Sequence, residues 1–216
     1  MTALEFGITD RELLRSAAIQ YWTGGGWIVK VVAIVGSPRI GGNTEILTRE
    51  ALRVIEAAGL ETEMIRLAEK KVLPCNACGA CTSGEVCSID DDLMPLYNKV
   101  KEADGLIIAS PVYFGSATPL LKAFMDRVGY ISLNNGYPLA RKPGGPLTVA
   151  GRNGGNFTNA QLILWFIAQG MIVPGSIDWN CAFGNEIGEI WNDERGVKTV
   201  RIFAQNLAWL VKKLAG

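Results

Sequence analysis

Trp27-Ile28-Val29-Lys30-Val31-Val32-Ala33-Ile34-Val35 runs straight into Gly36-Ser37-Pro38-Arg39-Ile40-Gly41-Gly42-Asn43-Thr44. The first run is almost wholly apolar and rich in β-branched side chains, the pattern of a strand buried on both faces of a parallel sheet. The second is small, hydroxylic and glycine-rich, and a helical pattern follows it to about Ala58, closed by Gly59. Strand, tight turn and helix in that order predict the opening unit of an α/β fold.

The same alternation continues towards the C-terminus. Thr62–Leu67, Gly105–Ser110, Pro146–Ala150 and Met171–Val173 read as further strands. Helices are predicted around Leu93–Ala103, Pro119–Tyr130, Gln161–Gly170 and Asp193–Leu214. With no break in composition, residues 27–216 predict one doubly wound α/β domain, about five parallel strands with helices on both faces. Residues 1–26 lie ahead of it. Thr9-Asp10-Arg11-Glu12 fits a capping box, and Leu13, Leu14, Ala17, Ala18 and Tyr21 follow at helical spacing. Gly24-Gly25-Gly26 then breaks the pattern, so this segment is expected to be an appended helical arm.

Composition excludes several classes of function. The 21 Lys and Arg residues balance 21 Asp and Glu, which gives no electrostatic reason for a nucleic-acid or anionic-membrane partner. No apolar run is long enough to span a bilayer, and the polar start Met1-Thr2-Ala3-Leu4-Glu5 does not read as a signal peptide. A cytoplasmic location is expected, where thiols stay reduced. Histidine is absent, which removes Ser-His and Cys-His pairs and His-ligated zinc.

Four of the 5 cysteines crowd into the loop 74–88. Cys75, Cys78 and Cys81 recur at every third position, and Cys87 follows in the same glycine-punctuated stretch. The segment is too short to bury four thiols separately, so they need a common ligand or each other. The trio has the spacing with which bacterial ferredoxins wrap an iron–sulfur cluster. In those proteins the next cysteine precedes a proline and serves another cluster. Here Ser88 follows Cys87 and no second trio exists, so Cys87 completes the same site. Structural zinc is the alternative, but zinc ribbons split their ligands into two separated pairs, which this loop does not. A cytoplasmic disulfide ranks below both.

Two loops stand at the carboxyl ends of predicted buried strands, where open α/β sheets place ligands. In Gly36–Thr44, the side chains of Ser37, Asn43 and Thr44 can donate hydrogen bonds and Arg39 brings a charge. Gly41 and Gly42 let backbone amides approach a phosphate at the helix N-terminus. Gly42 stands where a Walker A loop needs its lysine, which argues against an NTPase. In the loop after the third strand, Pro111, Val112, Tyr113, Phe114 and Gly115 can lie flat against a planar ring and offer it amides. Together the loops point to the switch point of a flavodoxin-type sheet, where FMN binds.

These motifs are similar to those of the flavodoxin-like NAD(P)H-dependent FMN reductase superfamily, and within it to the iron–sulfur flavoproteins. Gly36–Thr44 matches the family's phosphate loop, Ser110–Gly115 its isoalloxazine loop, and Lys122–Arg127 the helix segment that follows. Gly151, Arg152 and Gly154 correspond to a third loop beside the flavin. The similarity covers most of Val29–Gly170. It implies a flavodoxin-like five-stranded sheet, bound FMN, and a [4Fe-4S] cluster on Cys75, Cys78, Cys81 and Cys87. It also implies a homodimer or homotetramer with FMN near a subunit interface. The expected activity passes single electrons from a ferredoxin-like donor through the cluster to FMN. A small-molecule acceptor such as dioxygen, peroxide or a quinone then takes them. The alternative is an NAD(P)H-dependent FMN or quinone reductase with a structural metal at the cysteine loop. A redox sensor without steady turnover is a third reading.

Other features carry structural expectations. Cys181 reads as a buried thiol, and Asp90-Asp91-Asp92 as a solvated helix N-terminus. Asp126 and Arg127 read as an ion pair, and Trp165, Trp179, Trp191 and Trp209 as core or subunit packing.

Overall fold

The computed structural model describes residues 29–215, so the predicted arm at 1–26 and its capping box lie outside the described residues. Five strands form one sheet: β1 (Lys30–Val35), β2 (Glu61–Arg66), β3 (Gly105–Pro111), β4 (Gly144–Ala150) and β5 (Cys181–Phe183). Their spatial order is β2-β1-β3-β4-β5, and every pairing is parallel. That is the flavodoxin order, with the chain reversing direction across the sheet between β1 and β3. The helices are α1 (Asn43–Ala57), α2 (Leu93–Glu102), α3 (Pro119–Asn134), α4 (Gly155–Ala168) and α5 (Glu194–Ala215).

The strand pattern explains the two layers. Val31 and Ala33 of β1 pack with α1 and α5, whereas Val32 and Ile34 face α2, α3 and the inner side of α4. Ile107 and Ala109 of β3 repeat the first assignment, and Leu106 and Ile108 the second. A strand buried on both faces has no polar side to show, which is why its sequence reads as a continuous apolar run. Gly36, directly after β1, lets α3 approach closely. A Cβ there would lie 2.5 Å from Leu121 Cβ, and the Thr118 hydroxyl donates to Gly36 O at 2.7 Å.

The structure corrects two elements. Met171–Val173 is not the fifth strand: Ile172 makes an isolated bridge to Pro143 at the start of β4, and Pro174 follows directly after the segment. Cys181–Phe183, short and with its last residue exposed, takes the edge position against Thr148–Ala150 instead. Helix α4 begins at Gly155, ahead of the predicted Gln161, because Gly154 turns the chain with φ of 84° and its carbonyl starts the helical ladder.

Candidate flavin and iron–sulfur sites

At the carboxyl ends of β1 and β3, a cavity of about 180 Å³ opens between loops. Ser37, Arg39, Gly42, Asn43 and Thr44 form one side of it. The loop shape is local: the Ser37 hydroxyl accepts from Arg39 N–H at 3.1 Å, a turn stabilised by its own side chain. Gly42 occupies the N-cap of α1, and no side chain caps the helix there. Amides of the first turn are therefore left for a ligand, as an anion site requires. Behind the loop, the buried Glu45 carboxylate accepts from Gly41 N–H at 2.9 Å and binds Arg66 and Arg49. Its hydrogen bond to Arg66 holds its pKa down to about 2.

Pro111, Val112 and Tyr113 form the facing wall. Tyr113 and Ser116 exchange both backbone hydrogen bonds, at 2.9 and 3.0 Å, around the turn residues Phe114 and Gly115. Both turn residues have positive φ, 52° and 78°, the arrangement of a type I′ turn. Phe114 is thus a left-handed non-glycine residue with a fully exposed ring, and such strain collects at ligand-contacting tips. Gln161 of α4 steadies the turn by accepting from Ala117 N–H at 2.8 Å and Ser116 Oγ at 3.1 Å.

Phe114, Gly115, Arg152 and Gly154 do not line the cavity, although Gly151 does. Gly154 acts from behind: a Cβ there would meet Val112 Cγ1 at 3.0 Å and Gly115 Cα at 3.1 Å, so it lets the two loops touch. Asn43 is also repurposed. Its Nδ2 donates to Glu186 O at 2.7 Å and its Oδ1 accepts from Gly188 N–H at 2.8 Å. The side chain is spent on holding the loop after β5, and Gly184, Asn185 and Ile187 of that loop complete the cavity wall. Sequence reasoning missed this wall.

The cysteine loop forms a second cavity, about 290 Å³, against the C-terminal half of α3. Cys75, Cys78, Cys81 and Cys87 all line it. Among the described residues, no three His, Cys, Asp or Glu side chains converge closely enough to hold a single metal ion. The four thiols surround a space instead. Each sulfur has a polar partner: Ala77 N–H donates to Cys75 Sγ at 3.4 Å, and the Ser88 hydroxyl meets Cys78 Sγ at 2.9 Å. Asn134 Nδ2 donates to Cys81 Sγ at 3.7 Å, and Arg127 Nη2 to Cys87 Sγ at 3.1 Å. The contact with Ser88 lowers the Cys78 pKa from its ordinary value. Donors aimed at thiolate sulfurs are what a cluster-binding loop needs around its ligands.

The base of this loop overturns one expectation and part of another. Asp90 and Asp92 are exposed just ahead of α2, as expected, but the Asp91 side chain is fully buried against Arg127. Asp91 also accepts from Leu73 N–H at 2.8 Å and Leu93 N–H at 3.1 Å, tying both ends of the cysteine segment together. Asp126 pairs with Lys122 one helical turn away, not with Arg127. Successive residues on a helix point in different directions, so Asp126 faces solvent while Arg127 faces the loop. Asn135, just past α3, donates to Cys81 O and Gly84 O at 3.0 and 3.1 Å and pins the loop tip.

Cys181 is buried as expected, packed on Gly155, and burial pushes its thiol pKa up. Trp179, Trp191 and Trp209 are exposed, so they do not build the core of this chain. Trp165 does join the packing, with Nε1 donating to Met125 O at 2.9 Å. No described helix is long and apolar enough to cross a membrane.

The sequence pattern of the NADPH-dependent FMN reductase family matches residues 29–186. An iron-sulfur flavoprotein of Methanocaldococcus jannaschii is 42% identical over 191 residues, 85% of this chain and 98% of that protein. An iron-sulfur flavoprotein of Methanosarcina thermophila is 40% identical over 83% of this chain and 93% of its own length. Among solved structures, RosB superposes with a TM-score of 0.71 at 22% identity, covering 86% of this chain and 80% of its own. An archaeal flavodoxin gives 0.58 at 15% identity, covering 85% of this chain and 99% of its own. The chain belongs to the NADPH-dependent FMN reductase family and, within it, groups with proteins named iron-sulfur flavoproteins.

Proposed function

We propose that this FMN-dependent oxidoreductase passes single electrons from a ferredoxin-like donor through a [4Fe-4S] cluster to FMN, and on to a small-molecule acceptor. The observation that carries the reading is a ring of four cysteines around a cavity, each sulfur with its own hydrogen-bond partner, in a chain with a separate flavin-type cavity. A zinc ion would draw four sulfurs to about 3.8 Å from one another, as its short bonds of about 2.3 Å demand. A cubane, with its own iron and sulfide atoms inside the ring, suits an open cavity better.

When bound, the cluster supplies one-electron steps and FMN supplies either one- or two-electron steps. The chain's own residues bind and orient. Ser37, Thr44 and the free amides at the start of α1 would hold the FMN phosphate, with Arg39 adding charge. Pro111, Val112 and Tyr113 would lie against the ring, held in place by Gln161 and Gly154. Phe114, Gly115 and Arg152 flank the cavity without lining it, and their contact with flavin would come from a tip movement or a neighbouring subunit.

The two sites sit at opposite ends of α3. From Thr118 to Ile131 the helix spans about 20 Å, at about 1.5 Å per residue. A homodimer or homotetramer that places one subunit's cysteine loop near another's flavin would shorten that path. Exposed Tyr130 and Leu133 on α3, and Phe157, Leu164 and Ile167 on α4, supply apolar surface for such an interface. A cytoplasmic setting suits the reduced thiols of the cysteine loop.

The family pattern itself favours a second reading, direct hydride transfer from NAD(P)H to FMN with a structural metal on the cysteines. Stopped-flow reduction of anaerobically purified protein separates them. Rapid flavin reduction by reduced ferredoxin and slow reduction by NADPH support the first. Rapid reduction by NADPH alone supports the second.

A further inference from the structure

We infer that the buried Arg127–Asp91 pair sets the reduction potential of the cluster, Arg127 raising it and Asp91 restraining that rise. The inference rests on the cluster reading above. Arg127 and Asp91 side chains are 1% and 0% exposed, and the residues come from α3 and from the segment ahead of α2. Arg127 Nη2 donates to Asp91 Oδ1 at 3.0 Å, and Nη1 reaches Asp91 Oδ2 and the Leu73 carbonyl. The remaining contact is the one a fastening role does not require: Nη2 also donates to Cys87 Sγ at 3.1 Å. Arg127 Nε is buried without a partner among the described residues, so the guanidinium is held by its outer nitrogens alone.

Charge makes the consequence specific. Among the described residues lining the cysteine cavity, Arg127 is the one cation. Other charges near the loop, such as Lys101 paired with Glu85, are solvent-accessible and screened. A cluster held by four thiolates would be an anion, and accepting a donor electron would add one more negative charge to it. A buried positive charge within hydrogen-bond reach of a ligand sulfur favours that more negative state. Asp91 sits one group further out. It cancels part of the field and, through its fork with the guanidinium, fixes where the donor points. A pair kept only to fasten the loop could be replaced by apolar packing without electrical effect. This pair cannot, because one of its ions touches a ligand.

The two halves should therefore act with opposite sign. Anaerobic Asp91→Asn, Arg127→Lys and the double variant Arg127→Gln/Asp91→Asn are compared with wild type, with iron and sulfide counted first. The cluster potential is then read by redox titration followed by electron paramagnetic resonance. Asp91→Asn should shift the potential upward, and the double variant should fall below wild type. Arg127→Lys, which keeps the charge and loses the fork, should lie between wild type and the double variant. The offsets should persist at high salt, because the pair is buried. Equal potentials in all four proteins, or shifts of Asp91→Asn and the double variant in the same direction, would overturn the inference. Should the Asp91 variants lose iron, Arg127→Lys decides alone, and a potential equal to wild type overturns it. Wild type holding zinc and no sulfide would instead sink the cluster reading and this inference with it.

Discussion

Replacing Asn43 with alanine should weaken flavin binding through the loop after β5, not through the phosphate. Asn43 is 8% exposed, and its amide makes hydrogen bonds of 2.7 and 2.8 Å to Glu186 O and Gly188 N. At about 1 kcal/mol each, the two bonds hold the loop by about 2 kcal/mol. If binding must re-establish that order, affinity falls by roughly thirtyfold, since about 1.4 kcal/mol is a factor of ten. Water can reach part of the vacated positions, so tenfold is the lower bound of the expectation. The assay is titration of flavin-free protein with FMN and, in parallel, with riboflavin, which has no phosphate. A loop anchor weakens both ligands by similar factors, because Gly184, Asn185 and Ile187 line the cavity for either one. A direct phosphate donor would weaken FMN alone. Unchanged riboflavin binding beside weakened FMN binding would refute the loop argument.

Gly36→Ala should destabilise the fold by about 1–3 kcal/mol, the usual cost of overpacking, because the new Cβ meets Leu121 Cβ at 2.5 Å. A denaturation midpoint equal to wild type would show that α3 can simply move away. Stability should also decline in acid. Glu45 and Glu50, ordinarily near 4.5, are held at about 2, chiefly by hydrogen bonds from Arg66 and Arg53 respectively. The unfolded chain binds those protons more readily, so the stabilisation is complete above about pH 4.5 and is lost as pH falls towards 2. Denaturation followed by circular dichroism should show that loss, and Glu50→Gln should flatten it; an equally steep decline in the variant would contradict the assignment. Cys78→Ser should remove the cluster's broad visible absorption and leave flavin bound, whereas full retention of iron would show that Cys78 is not a ligand.

Local signals in this chain were readable and distant ones were not. β1 and its loop stand out because burial on both faces leaves no polar residue to interrupt the run from Val31 to Val35. The grouping of the four cysteines was legible because they lie within one short loop, and chain geometry alone brings them to one cavity. β5 was misplaced because Met171-Ile172-Val173 is the more apolar of two short segments. An edge strand pairs on one side only, so packing and not composition selects Cys181–Phe183. That misplacement hid the third wall of the cavity beyond β1 and β3. With β5 located, the rule that ligands gather beyond the carboxyl ends of strands would have pointed to Gly184 and Asn185. The Arg127–Asp91 pair was invisible for another reason. Its partners are joined only by the packing of α3 against the loop, and nearer charges offered more obvious pairings.

The central claim is that this chain carries two redox centres, and its most direct test is the content of the protein purified without oxygen. The account predicts bound FMN together with iron and acid-labile sulfide in equal amounts, all sulfide being lost in Cys78→Ser. Zinc in place of iron, with no sulfide, would contradict it.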